Sequence, residues 1–136
     1  MYAFVKAASG GGGGVTYTED TFTVTLTGVV GSVTATAQII KINNMVNLSI
    51  PQIVGATSNA TTKSLTGIPV AYRPPRNFAY FAIPGLANSE VGGALVQTSG
   101  TINLLLYNPT TNVIGNTWPS SGGVLFNGMS FVYPMI

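Results

Sequence analysis

The fold is decided by residues 21–50, which read TFTVTLTGVVGSVTATAQIIKINNMVNLSI. At the start of this stretch Phe22, Val24 and Leu26 alternate with threonines, and this period of two is typical of a β-strand with one buried face. The same alternation returns twice further along, on either side of Asn43-Asn44. Because asparagine tolerates a positive φ angle, this pair favours a hairpin turn. The stretch therefore predicts three consecutive strands of an antiparallel sheet.

The remainder of the chain has the same strand-like character. Further short alternating or apolar runs, separated by Gly, Pro and Asn, lie at residues 62–66, 77–83, 94–98, 101–107, 124–126 and 129–133. Residues 55–60 have the composition of a loop, and Asn127-Gly128 is a strong hairpin signal between the last two runs. The run 77–83 is apolar on both faces, so we expect it in a central position or at a contact between subunits. Short strands at this spacing, with no amphipathic helix, predict an all-β sandwich or barrel over residues 15–136. Of the two we expect an antiparallel, jelly-roll-like β-sandwich.

The N-terminal segment is different in composition. Residues 1–14 consist of a short apolar stub, MYAFVKAA, that runs through Ser9 into consecutive glycines. The stub is too short for the hydrophobic region of a signal peptide, so we expect a protein that is not secreted by that route. A run of five glycines is a flexible linker that spans about 12 Å. We interpret the segment as an anchor in which Tyr2, Phe4 and Val5 insert into another protein.

The composition excludes several classes of function. Charged residues make up 6% of the chain, against about 25% in an average soluble domain. With no His and no Cys, the chain lacks an imidazole base, a thiolate nucleophile, disulfides and the usual zinc ligands. A net charge of +2 argues against a nucleic-acid partner, and no apolar run is long enough for a membrane span. Such a low charge predicts that the chain buries much of its surface in an assembly.

Few residues are candidates for catalysis. The carboxylates are Glu19, Asp20 and Glu90, and a glycosidase would need two of them about 5–9.5 Å apart. A depolymerase that uses Asp20 with Glu90 is therefore an open alternative. Pairing a serine with Lys41 or Lys63 is formally possible, but no motif supports it. We expect solvated charges, no catalytic residue, no cofactor and no metal site.

Candidates for binding are aromatic and arginine side chains. Arg73 and Arg76 flank Pro74-Pro75, and they either cap carbonyl groups on a stiff loop or clamp a ligand or a neighbouring subunit. Tyr72 precedes this pair and belongs to the same candidate contact. Aromatic side chains more often pack in the core, but Trp118 stands in a predicted loop and is the best candidate for an exposed indole ring, which would be a platform for a sugar. These residues leave a free-standing, lectin-like carbohydrate-binding module as an alternative.

The order of motifs between Phe22 and Pro74 resembles a known family. FTVTLTG at 22–28 is followed by a threonine-rich hairpin and a strand that ends in Ile50-Pro51, then by TSNAT at 57–61, LTGIP at 65–69 and RPP at 73–75. This order of sequence motifs is similar to that of a small β-domain found at the ends of bacteriophage tail-fibre and other virion appendage proteins. The match covers about 50 residues, and beyond it the two agree only in strand character.

The resemblance implies a non-enzymatic homotrimeric knob, built around a threefold axis in a virion. Because the N-terminal segment is short, we expect a capsid decoration, a short head fibre or a tail-fibre component attached through residues 1–14. The implied partners are copies of the chain itself, other virion proteins and a glycan of the host surface. No membrane insertion is expected.

Overall fold

The computed structural model describes residues 14–31, 33–81, 91–108, 111, 113–115 and 117–136. Within these residues the chain forms β-strands and one short 3-10 helix at Val70–Tyr72. The strands, in chain order, are β1 (Tyr17–Thr27), β2 (Val33–Ile42), β3 (Met45–Ile50), β4 (Ile53–Thr57), β5 (Lys63–Thr66), β6 (Phe78–Phe81), β7 (Val91–Val96), β8 (Ile102–Asn108), β9 (Val113–Gly115), β10 (Gly123–Phe126) and β11 (Met129–Pro134).

Most of the strands belong to one antiparallel sheet. Its order is β11-β3-β2-β1-β5-β8-β7-β6, and β9 pairs with the C-terminal end of β8. β10 and β4 form a separate pair. β11 and β6 are the two ends of this order, and side chains bring them together. The hydroxyl group of Tyr80 donates a hydrogen bond of 2.6 Å to the carbonyl oxygen of Val132. The rings of Tyr80 and Phe131 meet edge to face at 5.2 Å, so the sheet is nearly closed and barrel-like.

The hydrophobic core fills the inside of this sheet. On β1 the inward residues are Phe22, Val24 and Leu26, as the period of two predicts. Phe131 and Tyr133 enter the core from β11 with no exposed surface. The all-β, antiparallel class is therefore confirmed.

One element was missed because a single glycine interrupts it. The prediction of a loop at residues 55–60 is wrong over its first half, since β4 continues to Thr57 and pairs with β10. Only Ile53 and Ala56 of β4 are buried. Gly55 takes a φ angle of +79°, which interrupts the alternation that would have indicated a strand.

Two placements also differ from the predictions. Asn127-Gly128 does not close a hairpin, because β10 pairs with β4 and β11 pairs with β3. The run 77–83 is not central: β6 lies at one end of the sheet order, and 70% of Phe81 is exposed. The alternative that this run contacts another subunit stays a prediction.

Candidate functional site

The outward residues of β1, β2, β3 and β11 form one continuous surface, which we call the outer face. Cross-strand register aligns these residues in rows, because side chains alternate between the two faces of a strand. The first row consists of Tyr17, Ile42, Met45 and Pro134. All four have apolar bodies, and Met45 is 45% exposed.

The second row is half apolar and contains an unsatisfied amide. It consists of Glu19, Ile40, Asn47 and Val132. Val132 is 49% exposed. The Oδ1 atom of Asn47 is buried and has no hydrogen-bond partner among the described residues. An acceptor left in this state costs about 1–3 kcal/mol. We call these first two rows the apolar rows.

The following rows are polar. Thr21, Gln38, Ser49 and Ser130 align across the four strands, and the Oγ atoms of Ser49 and Ser130 lie 3.5 Å apart. Facing pairs of threonines continue the pattern along β1 and β2. An open groove of about 360 Å³ runs along this part of the face, lined by Thr21, Thr36, Gln38, Ser49, Ile50 and Pro51. We call these the polar rows.

The outer face carries little charge. Of the residues that the structure places on it, only Glu19 is charged. The hydroxyl group of Tyr17 donates a hydrogen bond to Oε1 of Glu19. That hydrogen bond raises the pKa of Tyr17, and desolvation and the nearby carboxylate add to the effect.

The two ends of the described chain lie beside the apolar rows. The backbone N–H of Thr16 donates to Oδ1 of Asn43 at 3.0 Å, and the N–H of Asn43 donates to the carbonyl oxygen of Thr16 at 2.8 Å. The N–H of Met135 donates to the carbonyl oxygen of Asn44 at 2.7 Å. The turn between β2 and β3 thus fixes both ends.

The predicted aromatic and arginine contacts are placed around the 3-10 helix. Tyr72 is buried, and its hydroxyl group donates a hydrogen bond of 3.3 Å to Oδ2 of Asp20. Nε of Arg73 donates to the carbonyl oxygen of Ile68 at 3.0 Å, which agrees with the interpretation of a carbonyl cap. Arg76 is exposed, and its guanidinium carbon lies 5.0 Å from the ring centre of Phe78. Tyr72 and the two arginines are close in sequence but do not converge on a single pocket.

The structure corrects the predicted exposure of Trp118. The prediction of an exposed indole ring is wrong, because only 2% of Trp118 is accessible and its Nε1 donates to the carbonyl oxygen of Leu104 at 3.0 Å. The ring lies over the ammonium group of Lys63, which is itself 2% exposed. The alternation of 62–66 already placed Lys63 in phase with the buried Leu65, so that signal was present in the sequence.

Other candidates lie outside the described residues. These are the anchor residues Tyr2, Phe4 and Val5 and the carboxylate of Glu90. Among the described residues no group of three His, Cys, Asp or Glu side chains is placed to hold a metal ion. Within the same part of the chain, no helix is long and apolar enough to cross a membrane.

Comparison with models of protein families gives no match, and comparison with curated proteins gives none either.

Proposed function

We propose that this chain is a non-enzymatic structural protein of a bacteriophage virion, a homotrimeric β-knob attached to the particle through residues 1–14. In the particle it would be a capsid decoration, a short head fibre or a tail-fibre component. The homotrimer is implied by the resemblance of residues 22–75 to virion appendage domains. It stays a prediction, as does the jelly-roll-like arrangement of the strands.

The single observation that carries the proposal is the outer face with its one charge. A protein that works alone in water usually covers an exposed sheet with charged side chains, which keep it soluble. Here the apolar rows lie on the exposed side of the sheet. The described chain begins at Gly14, two residues before Thr16, which is hydrogen-bonded to Asn43 at the end of these rows. A surface of this kind is suited to contact with other protein surfaces in a large assembly.

The N-terminal segment supplies the attachment in this proposal. Burial of Tyr2, Phe4 and Val5 would contribute roughly 1.5–3 kcal/mol each before ordering costs, so one segment binds only modestly. Three copies held by one trimer gain affinity from their high effective concentration, provided that their docking sites are spaced to match. Linker length and trimer geometry would therefore set how tightly the knob is held.

Incorporation into particles tests this proposal. In the phage that encodes the chain, replacing Tyr2, Phe4 and Val5 together by serine should leave a folded knob that purified particles lack. A matched control replaces Gly11 by serine, which keeps the length of the linker and should not change incorporation. Normal incorporation of the triple variant, measured by mass spectrometry of purified particles, would contradict the anchor.

A carbohydrate-binding module is the second candidate, and the groove on the polar rows favours it. Hydroxyl and amide groups of Thr21, Thr36, Gln38 and Ser49 line this groove, and such groups hydrogen-bond to sugars. A glycan array probed with the full chain would test it, with Gln38→Ala as the variant that should lose binding. Signals that survive this substitution would remove the groove as a sugar site.

A further inference from the structure

We infer that the outer face is the surface through which copies of this chain bind one another, with Ile40 and Val132 at the centre of the contact. The inference deepens the proposed function and rests on its homotrimer. It assigns the contact to one side of the sheet and commits to a second copy of the chain as the occupant.

The apolar rows form a continuous patch. Ile40 and Val132 lie on either side of Asn47 in one register row, and Met45 and Pro134 stand directly behind them in the next. Val132 and Met45 are 49% and 45% exposed, whereas Ile40 and Pro134 are half-buried, so the patch is small and its significance comes from the low charge of the surface around it. An isolated exposed valine elsewhere, such as Val70, needs no explanation.

The low charge favours a second copy over a different partner. Around a threefold axis, a charge near the axis lies close to its own copies in the other two chains, and this repulsion is unfavourable. On the outer face this applies only to Glu19, whose carboxylate already accepts a hydrogen bond from Tyr17. A face without charge also offers little to steer or select a partner of complementary charge.

The amide of Asn47 points to the same occupant. Its buried Oδ1 lacks a donor among the described residues of the single chain, so the conformation is costly until a donor is supplied. An amide carries both a donor and an acceptor. A small rotation of Asn47 toward a second copy would let polar groups of the facing polar row, or the facing amide, satisfy this oxygen.

The size of the face sets the extent of the contact. Four strands spaced about 4.8 Å apart give a width of about 19 Å, and two rows that each occupy about 6.7 Å along the strands give roughly 250 Å² for the apolar rows. A standard interface buries about 800 Å² per partner. The apolar rows alone are too small, so the contact must extend over the polar rows. This matches an interface with an apolar centre and a polar rim.

The oligomeric state of the full chain tests the inference. Sedimentation velocity over a range of concentrations should show association for the unmodified chain. Val132→Glu should weaken that association at least about tenfold, because it places an unpaired charge in the centre of the contact. Val70→Glu is the matched control, since Val70 is also an exposed valine (76%) but lies away from the face, and it should leave association unchanged.

A second measurement keeps the test decisive if Val132→Glu fails to fold. The chain has no cysteine, so Val132→Cys and Val70→Cys each introduce a single thiol. In the oligomer, alkylation at position 132 should be slowed at least about tenfold relative to position 70, and dilution to monomers should remove the difference. This ratio is expected from burial alone and does not depend on the symmetry of the oligomer.

The other possible outcomes contradict the homotrimer, the assignment of the face, or the choice of a second copy as the occupant. An unmodified chain that is monomeric at all concentrations overturns both this inference and the homotrimer. Association that persists in a folded Val132→Glu variant, with unprotected thiols at both positions, overturns only the assignment of the face. Association that is lost only when residues 2–8 are deleted makes the N-terminal segment the occupant and overturns the inference, while particle incorporation still decides the anchor separately.

Discussion

The ammonium nitrogen of Lys63 lies 5.8 Å from the centre of the Trp118 ring. It also donates a hydrogen bond to the carbonyl oxygen of Ala60. No carboxylate of the described residues pairs with it, and burial lowers the pKa of Lys63. The chain therefore holds a positive charge inside a nearly closed sheet with an aromatic ring and one carbonyl group as its main partners.

Lys63→Met should stabilise the protein at neutral pH. The substitution removes a desolvation cost of about 1–3 kcal/mol and loses a cation–π contact of about 1 kcal/mol, so we expect a gain of about 1 kcal/mol. The carbonyl oxygen of Ala60 is left to water, because Ala60 is only half-buried and the single hydroxyl proton of Ser58, whose Oγ lies 3.2 Å from that oxygen, is directed to the carbonyl oxygen of Pro119 at 2.5 Å. Urea denaturation at pH 7 measures the difference, with Lys41→Met as the control for loss of a lysine.

The pH dependence of this gain provides a separate test. Because the pKa of Lys63 is lower in the folded chain than the ordinary value, the unfolded chain binds more protons between these two values. The free energy of unfolding of the unmodified chain should therefore rise with pH over this interval, below the ordinary lysine pKa of about 10.4. The advantage of Lys63→Met should shrink over the same interval. An advantage that is independent of pH would show that the buried charge is not its cause.

Much of this arrangement follows from local pattern, but the contact with Trp118 does not. A period of two places Lys63 and Leu65 on one face, as it places Phe22, Val24 and Leu26. The partner of a strand outside a hairpin is set by tertiary packing, so the neighbours of β5 in the sheet, β1 and β8, could not be derived. A tryptophan in a segment without alternation carries no signal of its burial.

The same distinction applies to the candidate site. The alternation in residues 32–50 exposes Ile40 and Asn47 on one side of a hairpin, and it could have been read from the sequence. The adjacency of Val132 required the pairing of β11 with β3. That pairing joins strands far apart in sequence and contradicts the strongest local hairpin signal, at Asn127-Gly128.

Gly28→Ala should destabilise the fold strongly, by about 3 kcal/mol or more. Gly28 has a φ angle of +79°, and an added Cβ would collide with the backbone carbonyl oxygen of Thr62. Gly55→Ala is a matched control, because Gly55 has the same φ angle of +79° with nothing within 4 Å of the added atom. The control should cost only about 1 kcal/mol, the strain of the left-handed conformation. Equal losses in thermal unfolding would mean that the close approach to Thr62 does not matter.

Tyr133→Phe should lower the free energy of unfolding by about 1–3 kcal/mol. The hydroxyl group of Tyr133 donates to the buried carbonyl oxygen of Tyr72, and its removal leaves that oxygen unpaired. The ring would keep its stacked contact with Phe78 at 6.0 Å. Tyr80→Phe also removes a hydroxyl donor, here from the carbonyl oxygen of Val132 at the more exposed seam between β6 and β11. It should cost less, and chemical denaturation ranks the two.

Alkaline titration tests Tyr133→Phe in a second way. Burial, with a contribution from Tyr80, raises the pKa of Tyr133 in the folded chain, so above pH 10 the unfolded chain loses this proton first. Stability of the unmodified chain should fall as the pH rises past the ordinary tyrosine value of about 10. Tyr133→Phe should reduce the slope of this loss. An unchanged slope would place the alkaline sensitivity at other groups.

Asn47→Val should have opposite effects on the folded monomer and on self-association. In a chain kept monomeric by Val132→Glu, the substitution removes a buried acceptor without a donor and adds a β-branched side chain to a strand, so the free energy of unfolding should rise by about 1 kcal/mol. In the associating chain it removes the amide that would pair across the interface, so association should weaken although the monomer is more stable. Asn103→Val on β8, which is also half-buried but lies away from the outer face, should not show this opposition. Stabilisation of both monomer and oligomer by Asn47→Val would mean that Asn47 is only a poorly satisfied strand residue, with no role in the contact between copies.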